Sequence, residues 1–475
     1  MFKGLMYING EWVGDNYEII EVLNPATGEI VGTVPLGGKE ETREAIEGAE
    51  VAFGQWSKLT ANVRANYMMK WHDLILENKQ EIARLITVEM GKPLEEAKNE
   101  IMSSVSYISW YAEEGKRVYG RTVPASATNK RIHVWKQPVG VVAGITPWNF
   151  PAAMMIRKIA PALAAGCTFV GKPAELTPLT TIRLAQLAEQ AGIPKGVINI
   201  ITGDPKAIGQ EMTSNPIIKK LTFTGSTEVG KLLMRQSAEN MLNLSLELGG
   251  HAPIIILDDA DLDKAVAGVM ASKFRNAGQT CICGNRIYVH KPIEQAFLDK
   301  FKQEVEKLKV GNGLENGITI GPLINRQGYE KVFKHVEDAK EKGAFVVSGG
   351  TGWNKEEAYF YEPTILTGVT NDMVIMNEET FGPVAPIQTF EDVEEAINSA
   401  NASQFGLSAY VFSESITKGM KVVEGLDYGI VGWNDGAPSA AQAPFGGMKE
   451  SGTGREGGIE GLEAFLETKY VSIGL

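Results

Sequence analysis

Between residues 140 and 248, short apolar, β-branched runs alternate with longer stretches of helical period. The runs fall at 140–146, 168–172, 197–202, 219–224 and 243–248. The helical stretches fall at 152–165, 179–191, from about 205, and at 228–238. Strands separated by helices need crossover connections, and such units build a parallel sheet covered on both faces. The pattern predicts a doubly wound, nucleotide-binding α/β domain. In open sheets of this kind ligands bind outside the carboxyl ends of the strands.

A second α/β pattern follows from His251, with strands at 253–257, 285–290, 364–366, 385–390 and 409–412. Helices are expected there at 262–274, 293–308, 327–342, 393–401 and 415–424. The first 35 residues read as turns and short strands, with Asn9-Gly10 as a hairpin signal. Residues 40–120 carry helical periodicity. Residues 121–137 lack it and read as an extended excursion. The end, 463–475, is an extended apolar run after a Gly-rich turn. A lone strand needs a sheet to join, so these two segments point to a sheet shared between subunits. At 475 residues the chain is too long for one core. The expected division is a cofactor domain from 1–120 and 140–248, a second domain over 249–440, and an oligomerisation arm from 121–139 and 455–475.

The net charge of -12 argues against a nucleic-acid surface. No apolar stretch reaches the roughly 18–20 residues of a membrane span, and no secretory signal is visible at the start. Three cysteines, two of them in a Cys-x-Cys pair, make no disulfide framework and suit a reducing, cytoplasmic setting. The five histidines are scattered without metal-ligand spacing, so no metal is expected.

Six stretches look chemical. Cys281 lies in Gly278-Gln279-Thr280-Cys281-Ile282-Cys283, between a helical run and a strand-like run. Loops held by rigid elements are where catalytic side chains are placed, and backbone donors there can favour a thiolate. The plainer alternative is a small buried hydrophobe, which is also the reading for Cys167. Asn149, in Thr146-Pro147-Trp148-Asn149-Phe150-Pro151, follows a strand and could donate an amide to an oxyanion. It could equally cap the helix that Pro151 opens. Lys172 and Glu175 follow another strand and could grip ribose hydroxyls, or be a solvated pair. Gly225-Ser226-Thr227 leads a strand into a helix whose N-terminus favours an anion, or is simply a cap. Glu247 sits between two leucines ahead of Gly249-Gly250. If buried it would have a raised pKa and serve as a general base; the alternative is an exposed position on an edge strand. Glu379 could take a ribose hydroxyl and Phe381 could line a ring pocket, or both could belong to a turn.

Together these motifs, in this order and spacing, resemble the aldehyde dehydrogenase superfamily. The likeness runs through Pro444-Phe445-Gly446-Gly447 and Gly454-Arg455-Glu456, so it covers the chain essentially end to end. Within the superfamily the succinate-semialdehyde dehydrogenase branch is most similar, through the Cys281–Cys283 pair, Arg157, Arg275, Ser439 and the closing residues 469–475. The resemblance implies a Rossmann-type cofactor domain, an α/β catalytic domain and a small β oligomerisation extension, assembled as a homodimer or homotetramer. It implies Cys281 as nucleophile, Asn149 and the Cys281 N–H as oxyanion donors, and Glu247 as the base that activates water. A relative handing its acyl group to coenzyme A would not be expected to keep a Glu there. Trp148, Lys172, Glu175, Gly225, Ser226, Leu248, Glu379 and Phe381 carry over as cofactor contacts.

A carboxylate at Glu175 would repel a 2′-phosphate and accept a free 2′-hydroxyl, so NAD is expected over NADP. Arg157, Arg275 and Ser439 would bind a remote carboxylate, selecting a short semialdehyde with a terminal acid. Arg157 could instead be plain helix surface. The resemblance also implies that Cys283 can pair with Cys281 in a reversible, inactivating disulfide, which would need a loop rearrangement. Alternatives are a glutarate-semialdehyde, betaine-aldehyde or broad-specificity dehydrogenase, or a non-catalytic scaffold of the same fold.

Overall fold

The segment Val141-Val142-Ala143-Gly144-Ile145 is apolar at every position, so it suits a strand covered on both faces. It lies at the centre of the first sheet in the computed structural model, which describes residues 1–355 and 357–475. The parallel core of that sheet runs Ile198–Ile200, Thr168–Lys172, Val141–Ile145, Ile218–Thr224, Asn243–Glu247. In chain order this is third, second, first, fourth, fifth. The direction of winding therefore reverses beside Val141–Ile145, and a crevice opens there past the carboxyl ends.

Both edges are antiparallel. On one side Met6–Ile8 and Glu11–Val13 add a hairpin, and Asn9 and Gly10 both take positive φ (50° and 79°), as a two-residue hairpin turn requires. On the other, Gly452–Thr453 pairs with Leu246 and Glu247. This last strand comes from a stretch that the sequence reading assigned to neither domain, and two residues carry no periodicity to find it by.

Helices Ala61–Glu77 and Leu94–Glu114 pack against helix Pro151–Ala165 over one face of the sheet, in a core that includes Trp71, Ile101, Tyr107 and Met155. Each fully buried Ile, Leu or Met there contributes roughly 1.5–3 kcal/mol. The second sheet is parallel except for its first strand, in the order Phe345–Ser348, Thr364–Thr367, Val384–Phe390, Gly284–His290, Ala252–Ile256, Ser408–Phe412, Ile430–Trp433. The strand at 430–433 was not anticipated, because Gly432 interrupts its apolar run.

The terminal strand Leu466–Gly474 pairs along its whole length with Lys130–Pro138 of the same chain, and Arg121–Val123 completes this small sheet. The excursion at 121–138 thus supplies the sheet that the terminal strand joins within the chain. Among the described residues no helix is long and apolar enough to cross a membrane.

Candidate active site

Three strand ends deliver side chains to the crevice: Val141–Ile145 leads to Trp148 and Asn149, Ile218–Thr224 to Gly225 and Ser226, and Asn243–Glu247 to Leu248. The second sheet brings Cys281 up to them. Two cavities meet at Cys281 and Met154. One, about 340 Å³, is walled by Trp148, Asn149, Gly225, Ser226, Leu248, Glu379 and Phe381. The other, about 290 Å³, is walled by Phe150, Arg157, Arg275, Ser439 and Phe445. The second volume is at the small end for ligand sites, so it suits a compact substrate.

The approach to Cys281 is conformationally unusual. After helix Leu262–Lys273 the chain passes through three left-handed residues, Asn276 (φ 54°), Ala277 (φ 54°) and Gly278 (φ 73°). For the two non-glycines this is strain of order 1–3 kcal/mol each, which the surroundings must hold. Asn276 N donates to Glu96 Oε2 at 2.7 Å. Gln279 Nε2 donates to the Asn276 and Pro322 carbonyls, and its Oε1 accepts from Ile324 N. Gly278 has no room for a side chain, since a Cβ would lie 2.1 Å from the Gly382 oxygen. Gly250 lets the loop approach the first sheet: a Cβ there would sit 2.2 Å from the Cys281 carbonyl oxygen.

Asn149 is buried, and its Nδ2 donates to the Gln279 carbonyl at 3.0 Å, two residues before the thiol. It does not cap the following helix, where Phe150 holds the cap position. Cys281 keeps part of its surface open to the cavities, yet its thiol is pushed up to about 12. The enclosing protein is the main cause, followed by the charges of Glu379 and Glu247, with Arg157 and Arg275 pulling the other way. The surroundings thus act against the thiolate that backbone donors were expected to favour: burial and two carboxylates raise the thiol, and Arg157 and Arg275 lower it.

Glu247 is 2% exposed, and among the described residues neither carboxylate oxygen has a hydrogen-bond partner. Its carboxyl is held well above the usual range, first by burial and then by Glu456, with Lys158, Arg455 and Arg157 opposing. The exposed-edge alternative is excluded, since the strand has a neighbour on each side at this residue. Glu247 lines neither cavity; its Oε1 packs on Gly446, beside the Lys158–Glu456 pair (2.6 Å). It perturbs Cys281 electrostatically without bonding to it.

On the larger cavity, Trp148 and Phe381 meet edge to face at 5.6 Å. Glu379 Oε1 accepts from Gly250 N at 3.0 Å, and burial pushes its carboxyl up to about 7. Ser226 caps helix Thr227–Ser237 by accepting from Val229 N, and that same helix start faces the cavity. Lys172 and Glu175 pair with each other at the next strand end, outside this cavity's wall. Gln327, Gly328 and Lys331 line the cavity but were missed, because helix Arg326–Glu341 reads in sequence as an ordinary charged amphipathic helix. The Thr280 hydroxyl and the Asn149 Oδ1 are buried without hydrogen-bond partners among the described residues. A helix N-terminus at a winding reversal, a carboxylate in the cavity wall at Glu379, another beyond a strand end at Glu175 and an aromatic pair fit a nicotinamide dinucleotide.

On the smaller cavity, Arg157 is 5% exposed, so the helix-surface alternative is excluded. Its guanidinium lies between the rings of Tyr107 and Phe445, 4.6 Å from each, and Nη2 donates to Ser439 Oγ at 2.8 Å. Arg275 is half-buried, 5.4 Å from the Phe150 ring. Among the described residues neither guanidinium Nε has a hydrogen-bond partner. Cys283 is buried and lines neither cavity, with its Sγ donating to the Lys273 carbonyl. A disulfide to Cys281 would require that contact to break and the segment to move.

The aldehyde dehydrogenase family model matches residues 12–471. The chain is 52% identical to the NADP(+)-dependent succinate-semialdehyde dehydrogenase of Escherichia coli, covering 100% of this chain and 98% of that one. It is likewise 52% identical to a glutarate-semialdehyde dehydrogenase of Pseudomonas aeruginosa, over the same shares. The crystal structure of a succinate-semialdehyde dehydrogenase from Burkholderia pseudomallei superimposes with a TM-score of 0.98 at 52% identity, covering 100% of this chain and 98% of that one. With a thiol at the junction of two cavities and likeness over its full length, the chain belongs to the aldehyde dehydrogenase family.

Proposed function

We propose that the protein oxidises a short semialdehyde with a terminal carboxylate, succinate semialdehyde foremost, and uses NAD in preference to NADP. The observation that carries the substrate reading is the pair of guanidinium groups, Arg157 bonded to Ser439 and Arg275 opposite, in the wall of a small cavity that ends at Cys281. Two cations and a hydroxyl there recognise a carboxylate by charge-assisted hydrogen bonds, while the wall's two acids, Glu96 and Glu100, are engaged by Asn276 N and by Lys92.

The aldehyde carbon is attacked by Cys281 Sγ once its proton has passed to solvent water, and the carbonyl oxygen becomes an oxyanion. The Asn149 side-chain amide and the Cys281 N–H hold that oxygen; one such donor is worth about 10²–10³ in rate. A bound nicotinamide supplies the acceptor for the aldehydic hydride. The resulting thioester is hydrolysed by water whose proton Glu247 takes, and the sulfur leaves as thiolate. Glu247 must first rotate from its place beside Lys158 and Glu456; its raised pKa makes it a better base once ionised.

Support for NAD comes from Glu175, whose carboxylate opposes a 2′-phosphate, although the Escherichia coli relative is named for NADP(+). The name of the Pseudomonas aeruginosa relative keeps glutarate semialdehyde as the second reading. The arm is read as an assembly surface for a homodimer or homotetramer, since Trp135 and Tyr470 on it are exposed. The test is kcat/KM for succinate semialdehyde, glutarate semialdehyde and butyraldehyde, with NAD and NADP in parallel. A butyraldehyde value equal to that of the acids would end the carboxylate reading. A wild-type preference for NADP would end the cofactor reading.

A further inference from the structure

Helix Pro151–Ala165 starts directly after Asn149 and has no side-chain cap of its own. Its free N–H groups at Ala152 and Ala153 donate instead to Glu100 Oε1, at 2.9 and 3.2 Å, a carboxylate from helix Leu94–Glu114. The other oxygen, Glu100 Oε2, accepts from Lys92 Nζ at 2.5 Å. Lys92 Nζ also donates to the main-chain carbonyl of Asn149 at 2.8 Å and lies 3.6 Å from the centre of the Phe150 ring. Asn276 Nδ2, from the strained run ahead of Cys281, donates to the same carbonyl at 3.1 Å. Both side chains of the Lys92–Glu100 pair are fully buried.

Burying an ion pair costs desolvation that its attraction need not return, so such a pair is weak evidence for stability alone. Here every strong bond that the pair makes beyond itself lands on residues 149–153. It fixes the carbonyl of Asn149, the ring of Phe150 and the first N–H groups of the helix. The amide side chain of Asn149 projects from the peptide that these contacts hold.

Resting on the oxyanion role proposed for Asn149, we infer that Lys92 and Glu100 are positioning residues for that amide. They act through the main chain at 149–150 and touch no reacting atom. A misplacement of about 1 Å can cost on the order of 10²-fold in rate, so Lys92→Met lowers kcat about tenfold or more, while the KM for the cofactor stays within about twofold.

The test is a double-mutant cycle of Lys92→Met with Asn149→Ala, read as kcat beside the thermal midpoint. Positioning requires that Lys92→Met cost about tenfold when Asn149 is present and less than about twofold when it is Ala, whatever the loss in midpoint. An equal factor in both backgrounds, with Asn149→Ala itself strongly impaired, overturns this inference and leaves the oxyanion reading intact. An Asn149→Ala enzyme with undiminished kcat overturns the oxyanion reading and this inference with it. If Lys92→Met does not fold, Glu100→Gln takes its place under the same criterion. Its amide oxygen can still accept from Ala152 and Ala153, while its NH2 in the place of Oε2 removes both the charge and the acceptor that face Lys92.

Discussion

Replacing Glu175 by Gln isolates one physical quantity, the repulsion between a carboxylate and a 2′-phosphate. Glu175 is paired with Lys172, and the two side chains are 35% and 3% exposed. A third-exposed carboxylate interacts through an effective dielectric between that of a protein surface and that of water. For a phosphate of charge about −1.5 to −2 at about 5 Å, the repulsion is roughly 1–3 kcal/mol. Glu175→Gln should therefore raise kcat/KM for NADP by about 5- to 150-fold. Release of the Lys172 ammonium from its carboxylate partner acts in the same direction. The amide still accepts a ribose hydroxyl, but a charge-assisted bond becomes a neutral one, so NAD efficiency should fall by roughly 2- to 30-fold. The assay is initial rate by absorbance of the reduced nicotinamide, at saturating semialdehyde, with each cofactor titrated. Salt supplies a control: the wild-type discrimination should narrow as ionic strength rises, because the site is partly exposed. An NADP efficiency unchanged within twofold in Glu175→Gln would refute the electrostatic reasoning.

Arg275→Ala should lower the preference for succinate semialdehyde over butyraldehyde by about tenfold or more, the loss of one charge-assisted contact; a proportional loss on both substrates would assign Arg275 to structure. Glu247→Gln should retain a burst of reduced cofactor in the first turnover and then stall, because acylation precedes the water step; loss of the burst would contradict its role as hydrolytic base. Glu89 accepts from the N–H groups of Leu179 and Thr180, yet burial pushes its carboxyl up to about 8. Its folded pKa lies above the unfolded value, so its stabilising contribution is complete below about pH 4.3 and fades as pH rises toward 8, by up to about 1.4 kcal/mol per unit. Relative to Glu89→Gln, the wild type should lose stability across that window in denaturant titrations; parallel pH curves for the two would refute it.

The elements legible in the sequence are those whose signal is local. The alternation from 140 to 248 gave the parallel sheet, and the Asn9-Gly10 turn was found because two positive φ angles favour that dipeptide. Gly452–Thr453 and Ile430–Trp433 were not found, since strands of two residues or with a central glycine lack periodicity. The same division holds in the site. Cys281, Asn149 and Glu247 were singled out because a thiol, an amide or a carboxylate beside a strand end is chemically conspicuous. Lys92, Glu100 and Lys331 passed unnoticed, because a charged residue in a helical stretch looks like solvated surface until its neighbours are known.

What the sequence by itself determined is the inventory: which reactive groups stand next to which strand, and that two wound sheets would carry them. Hydrophobic period and glycine punctuation act over a few residues and need nothing distant. Only the tertiary structure decided the states of those groups. Lys158 and Glu456, 298 residues apart, surround Glu247, and the thiol of Cys281 is raised by Glu247, at the end of a first-sheet strand, and by Glu379, ahead of the second-sheet strand Val384–Phe390. Burial and charge proximity are properties of packing, and packing brings together residues whose separation along the chain carries no information about their separation in space.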